Sequence, residues 1–247
     1  MKRWLFVLAA LALMLPTMAG TAMAQQEQAM LRVVHASPDA PPVDVIVDDN
    51  KVFTDVSFKE ITPYVPLDAG AHNVRVVRAG TDEPAVLQAT VNLQPESFNT
   101  VAAVGRLENI RAVPLVDRNC LPASNRAAVR VVHASPNAPA VDVAVADGPV
   151  LFNNVAFPNA TDYRTVEAGA VNLPVRQAGT QTTVLDVPEV TLEGSTVYTV
   201  YAVGLVDGDP PLQALVAVDA PPPQATEAPR AAQSPQATGS PQGAKTP

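Results

Sequence analysis

The chain is short of almost everything that carries chemistry. Its 247 residues hold one cysteine, one tryptophan and three histidines, with 4% aromatic and 16% charged residues. A single cysteine, Cys120, excludes an internal disulfide framework and any zinc site built from several thiolates. The histidines, His35, His72 and His133, do not stand at ligand spacing, so no metal or other cofactor is expected. Basic residues are fewer than acidic ones, 16 against 24, giving a net charge of -8. Nucleic acid, which needs clustered Lys and Arg, is therefore not an expected partner. No HExxH, GxSxG, P-loop, GxGxxG or CxxC pattern occurs.

Long helical periodicity is also missing. The sequence has 25 prolines, and along the central region they recur every few residues, which breaks most helices.

The two ends differ from the middle. Lys2 and Arg3 precede an apolar run from Trp4 to Leu15, and Ala22-Met23-Ala24 follows as an A-x-A cleavage pattern. This arrangement predicts a signal peptide over 1–24 and a chain that is exported: secreted, periplasmic or envelope-associated. The run is too short to span a bilayer, which takes about 20 residues, so no membrane span is expected after cleavage. From Pro221 to Pro247 there is no Val, Ile, Leu or aromatic residue. A segment that cannot bury apolar surface does not offset its ordering entropy, so a disordered Pro/Ala/Gln-rich tail is expected over 221–247.

What is present is a duplication. Residues 31–47, LRVVHASPDAPPVDVIV, return at 129–145 as VRVVHASPNAPAVDVAV, with 13 of 17 positions identical. The match continues through Tyr64 and Tyr163, Ala69-Gly70 and Ala168-Gly169, and Ala79-Gly80-Thr81 and Ala178-Gly179-Thr180. The sequence therefore divides into repeats over 30–118 and 128–220, joined by a polar linker over 119–127. Units of this size are domains rather than solenoid repeats.

Val- and Thr-rich runs bounded by Pro, Gly, Asp and Asn predict strands over 31–36, 43–47, 74–78, 86–93 and 100–104. Their counterparts are 129–134, 141–145, 173–177, 184–192 and 197–203. The fold class expected is all-β, with two tandem immunoglobulin-like or transthyretin-like β-sandwich domains.

The repeated motif V-H-A-S-P-[DN]-A-P-x-V-D-V supplies the candidate site residues: His35, Ser37, Asp39 and Asp44, and His133, Ser135, Asn137 and Asp142. As structure, it is a proline-stiffened loop between strands whose Ser and Asp side chains bond nearby amides. As chemistry, it would need His, Ser and Asp to meet as a nucleophile with its base. Strand parity opposes this: His35 shares a face with Leu31 and Val33, whereas Asp44 lies opposite Val43 and Val45 and should point outward. The motif is read as binding or turn-fixing, with no catalytic residue. Calcium would need clustered oxygens; Asp48-Asp49-Asn50 and Asp207-Gly208-Asp209 read as ordinary turns.

RVVHASPDAPPVDV, DAGAHNVRVVRAG and NTVAAVGRLENIRAVPLVD, with their second copies, resemble the exported bacterial domain-of-unknown-function family 4397. The resemblance implies tandem all-β modules without an established activity to transfer. The stretch around Ala69-Gly70 is also similar to prealbumin-type and carboxypeptidase-regulatory-type sandwiches.

The function expected is a non-enzymatic envelope or extracellular protein, either a binding and adhesion module or a structural spacer. Its partner would be an envelope polymer or protein. One alternative is a small-ligand carrier with a pocket between the two sandwiches. The other is a hydrolase using the His/Ser/Asp motif.

Overall fold

The computed structural model describes residues 27–146 and 148–220. The expected signal peptide and tail lie outside the described residues.

The first half forms β1 (Gln28–Ala36), β2 (Val43–Val47), β3 (Asn50–Val56), β4 (Val65–Asp68), β5 (Gly70–Arg78), β6 (Ala85–Leu93), β7 (Phe98–Val104) and β8 (Arg111–Asp117). The second half repeats the series as β9 (Arg126–His133), β10 (Val141–Ala144), β11 (Val150–Val155), β12 (Arg164–Glu167), β13 (Gly169–Gln177), β14 (Thr183–Leu192), β15 (Thr196–Val203) and β16 (Gln213–Ala220). One turn of 3-10 helix, Leu107–Asn109, is the single helical element among the described residues.

The strands form four sheets of four, in the orders β4-β1-β7-β8 and β3-β2-β5-β6, then β12-β9-β15-β16 and β11-β10-β13-β14. Each half is thus a sandwich, and the chain is all-β with two tandem β-sandwich domains. Within the first sheet of each half, β1 pairs with β7, and β9 with β15, in parallel. The named strands otherwise pair antiparallel.

The chain passes from one sheet to the other of the first sandwich between β4 and β5, at Ala69-Gly70. Gly70 has φ +140° and its counterpart Gly169 has φ +141°. An L side chain is strained in that conformation, which accounts for Ala-Gly recurring at the corner of both halves.

Alternation along β1 explains how the halves meet. Leu31 and Val33 face the interior of the first sandwich, with Val45, Val76 and Val101. Val34 and Ala36 face the other way, into a second apolar layer. That layer combines Val34, Ala102, Val104 and Leu115 from the first half with Val132, Ala134, Tyr201, Val203 and Ala217 from the second. The sheets carrying β1 and β9 therefore pack against each other across the duplication. Both faces of β1 and β9 are covered, and a doubly covered strand reads as a nearly continuous apolar run.

The central strand of every sheet was foreseen. The strands not foreseen, β3, β4, β8, β11, β12 and β16, are all sheet edges. Edge strands tolerate proline and charge, and Pro66, Pro114, Lys51 and Asp55 blur their sequence pattern. β9 also begins at Arg126, inside the stretch read as linker.

Candidate functional site

The two HASP loops are built alike. His35 ends β1 on the interior-facing side and is fully buried. Its Nε2–H donates to the Pro41 carbonyl at 3.2 Å, and its ring meets Phe58 edge-on at 6.4 Å. His133 does the same with the Pro139 carbonyl at 3.0 Å and Phe157 at 6.2 Å. Burial pushes both imidazoles below the usual histidine pKa, outweighing the hydrogen bonds that would raise it. Nδ1 of each has no partner among the described residues.

Ser37 and Ser135 are also fully buried. The Ser37 hydroxyl has no partner among the described residues, while the Ser135 hydroxyl donates to Asn137 Oδ1 at 3.4 Å.

The Asp/Asn exchange within the motif has a physical reason. Asp39 accepts the Leu107 amide at 2.8 Å and faces the Arg106 guanidinium at 3.5 Å. In the second half Leu205 takes the place of Arg106. There Asn137 closes a two-bond ring with Val206, accepting its amide at 2.9 Å and donating to its carbonyl at 2.7 Å. A carboxylate suits the position beside an arginine; an amide suits a bare peptide group.

Asp44 leaves the interior face of β2, as parity requires, yet it is not open to water. Its side chain is 4% exposed. It accepts the Asp55 amide at 2.9 Å, the Gly80 amide at 3.1 Å and Lys51 Nζ at 2.9 Å. Burial pushes its carboxyl up, but these donors outweigh that and hold its pKa below the usual value. Asp142 accepts the Asn154 amide at 2.7 Å and the Gly179 amide at 2.9 Å, which lower its pKa in the same way.

The motif residues therefore serve the turns around them. His35 sits on the sheet of β1 and Asp44 on the sheet of β2, with no shared partner. Ser37 is bonded to neither. In the Asp48-Asp49-Asn50 turn the carboxylates are engaged: Asp48 accepts the Asn73 amide at 2.8 Å and Asp49 pairs with Arg75 at 3.1 Å. Among the described residues no three His, Cys, Asp or Glu side chains gather as a metal site would require. Cys120 is exposed, with Arg118 Nε 3.2 Å from its sulfur.

A second polar constellation, missed in the sequence, lies between the sandwiches. Arg32, in the middle of β1, is 3% exposed. Its Nε donates to Thr100 of its own half at 2.8 Å. Its Nη1 reaches across to the Val218 carbonyl at 3.0 Å, and its Nη2 to Asp219. Arg130 mirrors it: Nε to Thr199 at 2.7 Å, Nη1 to the Val116 carbonyl at 2.9 Å, and Nη2 to Asp117. Each aspartate also accepts from its own half, Asp117 from Tyr64 at 2.6 Å and Thr100 at 2.5 Å, Asp219 from Tyr163 at 2.7 Å and Thr199 at 2.5 Å. Tyr64 lies under Arg32 at 4.5 Å, and Tyr163 under Arg130 at 4.6 Å. Two arginines and two aspartates balance in charge, and each half gives one of each. The pairing is reciprocal, as in an isologous dimer interface.

The sequence signal was an arginine at the same position of both buried repeats. Strand alternation places both arginines on the outer face and does not say what covers it.

The space between the sandwiches is thus filled by the apolar layer and this ionic cluster. A polar cleft lined by Arg106, Glu108, Arg111, Pro136 and Phe157 opens at one edge. Among the described residues no helix is long and apolar enough to cross a membrane.

These features define a class: tandem all-β proteins whose two sandwiches are locked face to face. The family model described as Domain of unknown function (DUF4397) matches residues 29–144 and 133–230, and the chain belongs to that family. No curated protein matches the chain. Among solved structures, the Bacillus anthracis TIE protein is similar at 9% sequence identity and a TM-score of 0.23, over 76% of this chain and 34% of that one. The chain spans about a third of the length of that structure.

Proposed function

We propose that this is an exported, non-enzymatic β-sandwich protein of the cell envelope or extracellular space, a paired module that binds an envelope polymer or protein or spaces other parts of an assembly. The observation that carries the reading is how the repeated motif is used. Asp39, Asp44, Asn137 and Asp142 are each committed to backbone amides of neighbouring strands and turns, and His35 and His133 to proline carbonyls. A catalytic His–Ser–Asp set needs the three groups bonded in sequence; here the histidines and aspartates are bonded elsewhere, and Ser37 is bonded to neither. The basic start, apolar run and A-x-A pattern of residues 1–24 support export.

The experiment has two arms. The full chain is expressed in a bacterial host, and the protein outside the cytoplasm is sequenced from its N-terminus. A start at Gln25 is expected; uncut protein held in the cytoplasm overturns the reading. Wild-type protein and the His35→Gln/His133→Gln variant are then tested on ester, amide and glycoside substrates. Neither is expected to turn them over, and a turnover lost in the variant would restore the enzyme reading.

A further inference from the structure

We infer that the second sandwich binds the alkyl chain of an amphiphile between its two sheets. The interior of this sandwich contains a cavity lined by Val, Leu, Ala and Phe side chains alone. The cavity has ≈ 40 Å³ of water-accessible volume, on a scale where one water needs about 10–15 Å³.

The duplication supplies a control inside the same chain. Val47, Val91 and Val101 of the first sandwich are buried, at 2%, 5% and 2% exposure. Their counterparts Val145, Val190 and Val200 are valines too, yet they are only partly buried. Side-chain bulk does not explain the difference, because Leu31 becomes Val129 while Ala89 becomes Val187. The strand does. β6 runs beside β5 in even register from Gly70 to Val76. β14 slips by one residue between the pairs Val171↔Val190 and Leu173↔Val187. The extra residue, Glu189, has φ +52° and its amide is held by Asn172 Oδ1 at 2.7 Å. A bulge of this kind bends its strand away from the regular ladder. Beside it on β16, Val216 lines the cavity and is 40% exposed, so the cavity reaches solvent at this edge.

The lining decides the ligand class. Water gains no hydrogen bonds there, so the enclosed part stays dry. A peptide would bring backbone N–H and C=O groups to a wall without partners, and a charged or sugar group would lose its hydration without compensation. An unbranched hydrocarbon has neither cost. It is narrow enough for a slot between two sheets, and it covers apolar wall that otherwise faces water. A polar headgroup would remain outside, beyond Val216.

The test uses the full chain and two ligand series, alkyl carboxylates and alkyl maltosides of six, eight, ten and twelve carbons, followed by calorimetry. Affinity is expected to tighten about fourfold per added methylene until the slot is full. Binding of both series indicates that the chain of a lipid suffices; binding of the carboxylates alone indicates a free fatty acid; both support the proposal. A nitroxide placed at the chain end of stearate should broaden the methyl signals of Val187 and Val200 and spare Val101. The mouth variant Val190→Phe, at a position that is not fully buried, should weaken binding about tenfold or more, the loss of roughly two methylenes of burial. Affinity without chain-length dependence, broadening that includes Val101, or binding unchanged in V190F would each overturn it. The broadening experiment needs only the wild-type chain and decides the matter if V190F does not fold.

Discussion

Arg32, in the second residue of the first repeat block, donates to Asp219 in the last strand of the second sandwich, 187 residues along the chain. The reciprocal bond, Arg130 to Asp117, spans 13 residues. One contact closes nearly the whole domain pair and the other closes the linker, yet their chemistry is the same. Burial works against the charge on both arginines, and the tyrosine and aspartate oxygens around them outweigh it and raise their pKa. A tandem duplication has thus kept, inside one chain, an interface of the type that joins two copies of a protein.

Removing one partner of such a pair leaves the other charge buried and alone. Asp219→Ala is expected to destabilise the protein by about 3–5 kcal/mol, seen as an earlier midpoint in urea unfolding. The double variant Arg32→Met/Asp219→Leu should be clearly more stable than D219A, because it leaves no unpaired charge. Equal losses in the two would show that the lock works through shape rather than charge.

The interface should hold without the covalent link. A protease site placed in the exposed segment 119–124 and then cleaved should leave two fragments that co-elute in size-exclusion chromatography. Raising the salt to about 1 M should not separate them, because buried pairs are screened much less than exposed ones. Fragments that elute apart would show that the linker, not the cluster, keeps the halves together.

The duplication and the central strands were legible because period-two alternation and Val-rich runs are local properties of the chain. Which outer face meets which was not. Alternation assigns Arg32 to a face opposite Leu31, but not to Asp219, since that pairing depends on how two finished sandwiches dock. Asp44 shows the same limit at short range. Parity places it outside β2, but the amides of Asp55 and Gly80 that cover it arrive from other strands and turns. The edges faded for a different reason: β8 and β4 carry proline at positions where an edge needs no further partner.

Acid should weaken the fold through the HASP histidines. Their folded pKa lies below the unfolded value of 6.5, so the folded state takes up fewer protons than the unfolded state. Their stability contribution is full above about pH 6.5 and is lost as the pH falls below it. His72 has the opposite sign. Burial opposes its charge, but the Asp68 carbonyl and the Asp48 carboxylate outweigh that and raise its pKa. Its contribution is present below about 6.5 and is lost as the pH rises through the folded value. Asp44 and Asp142, with lowered pKa, matter only below their ordinary 3.8. Melting followed from pH 7.5 to 5 should therefore show a declining Tm, flatter in H35Q/H133Q and steeper in His72→Asn. A decline unchanged in H35Q/H133Q would remove the histidines from the account.

The turn carboxylates give a prediction on stability alone. Asp142→Ala leaves the Asn154 and Gly179 amides without their acceptor and is expected to cost about 1–3 kcal/mol. Asp44→Ala should cost more, because its carboxylate is the more deeply buried of the two and also accepts from Lys51, which keeps only the exposed Asp82. Urea midpoints of the two variants compare them directly. A change within about 0.5 kcal/mol for both, the range of ordinary surface substitutions, would mean that these turns hold without the side chains.

Tyr201 breaks the symmetry of the interface. It is fully buried, and Ala102 holds the equivalent position in the first sandwich. Its hydroxyl has no partner among the described residues. Burial pushes the phenol pKa up, against the pull of the Arg32 and Arg130 guanidiniums, so it stays neutral. A large residue in one half and a small one in the other fill the shared layer together. Removing only the hydroxyl deletes a buried polar atom that gains nothing, so Tyr201→Phe should be neutral or stabilising by up to about 1 kcal/mol. Removing the ring leaves a cavity, and Tyr201→Ala should cost about 3–5 kcal/mol, as large aromatic truncations do. A marked loss in Y201F would instead reveal a partner for the hydroxyl, a bound water bridging the two arginine–aspartate pairs, and would make the tyrosine a member of the ionic cluster rather than a filler of the apolar layer.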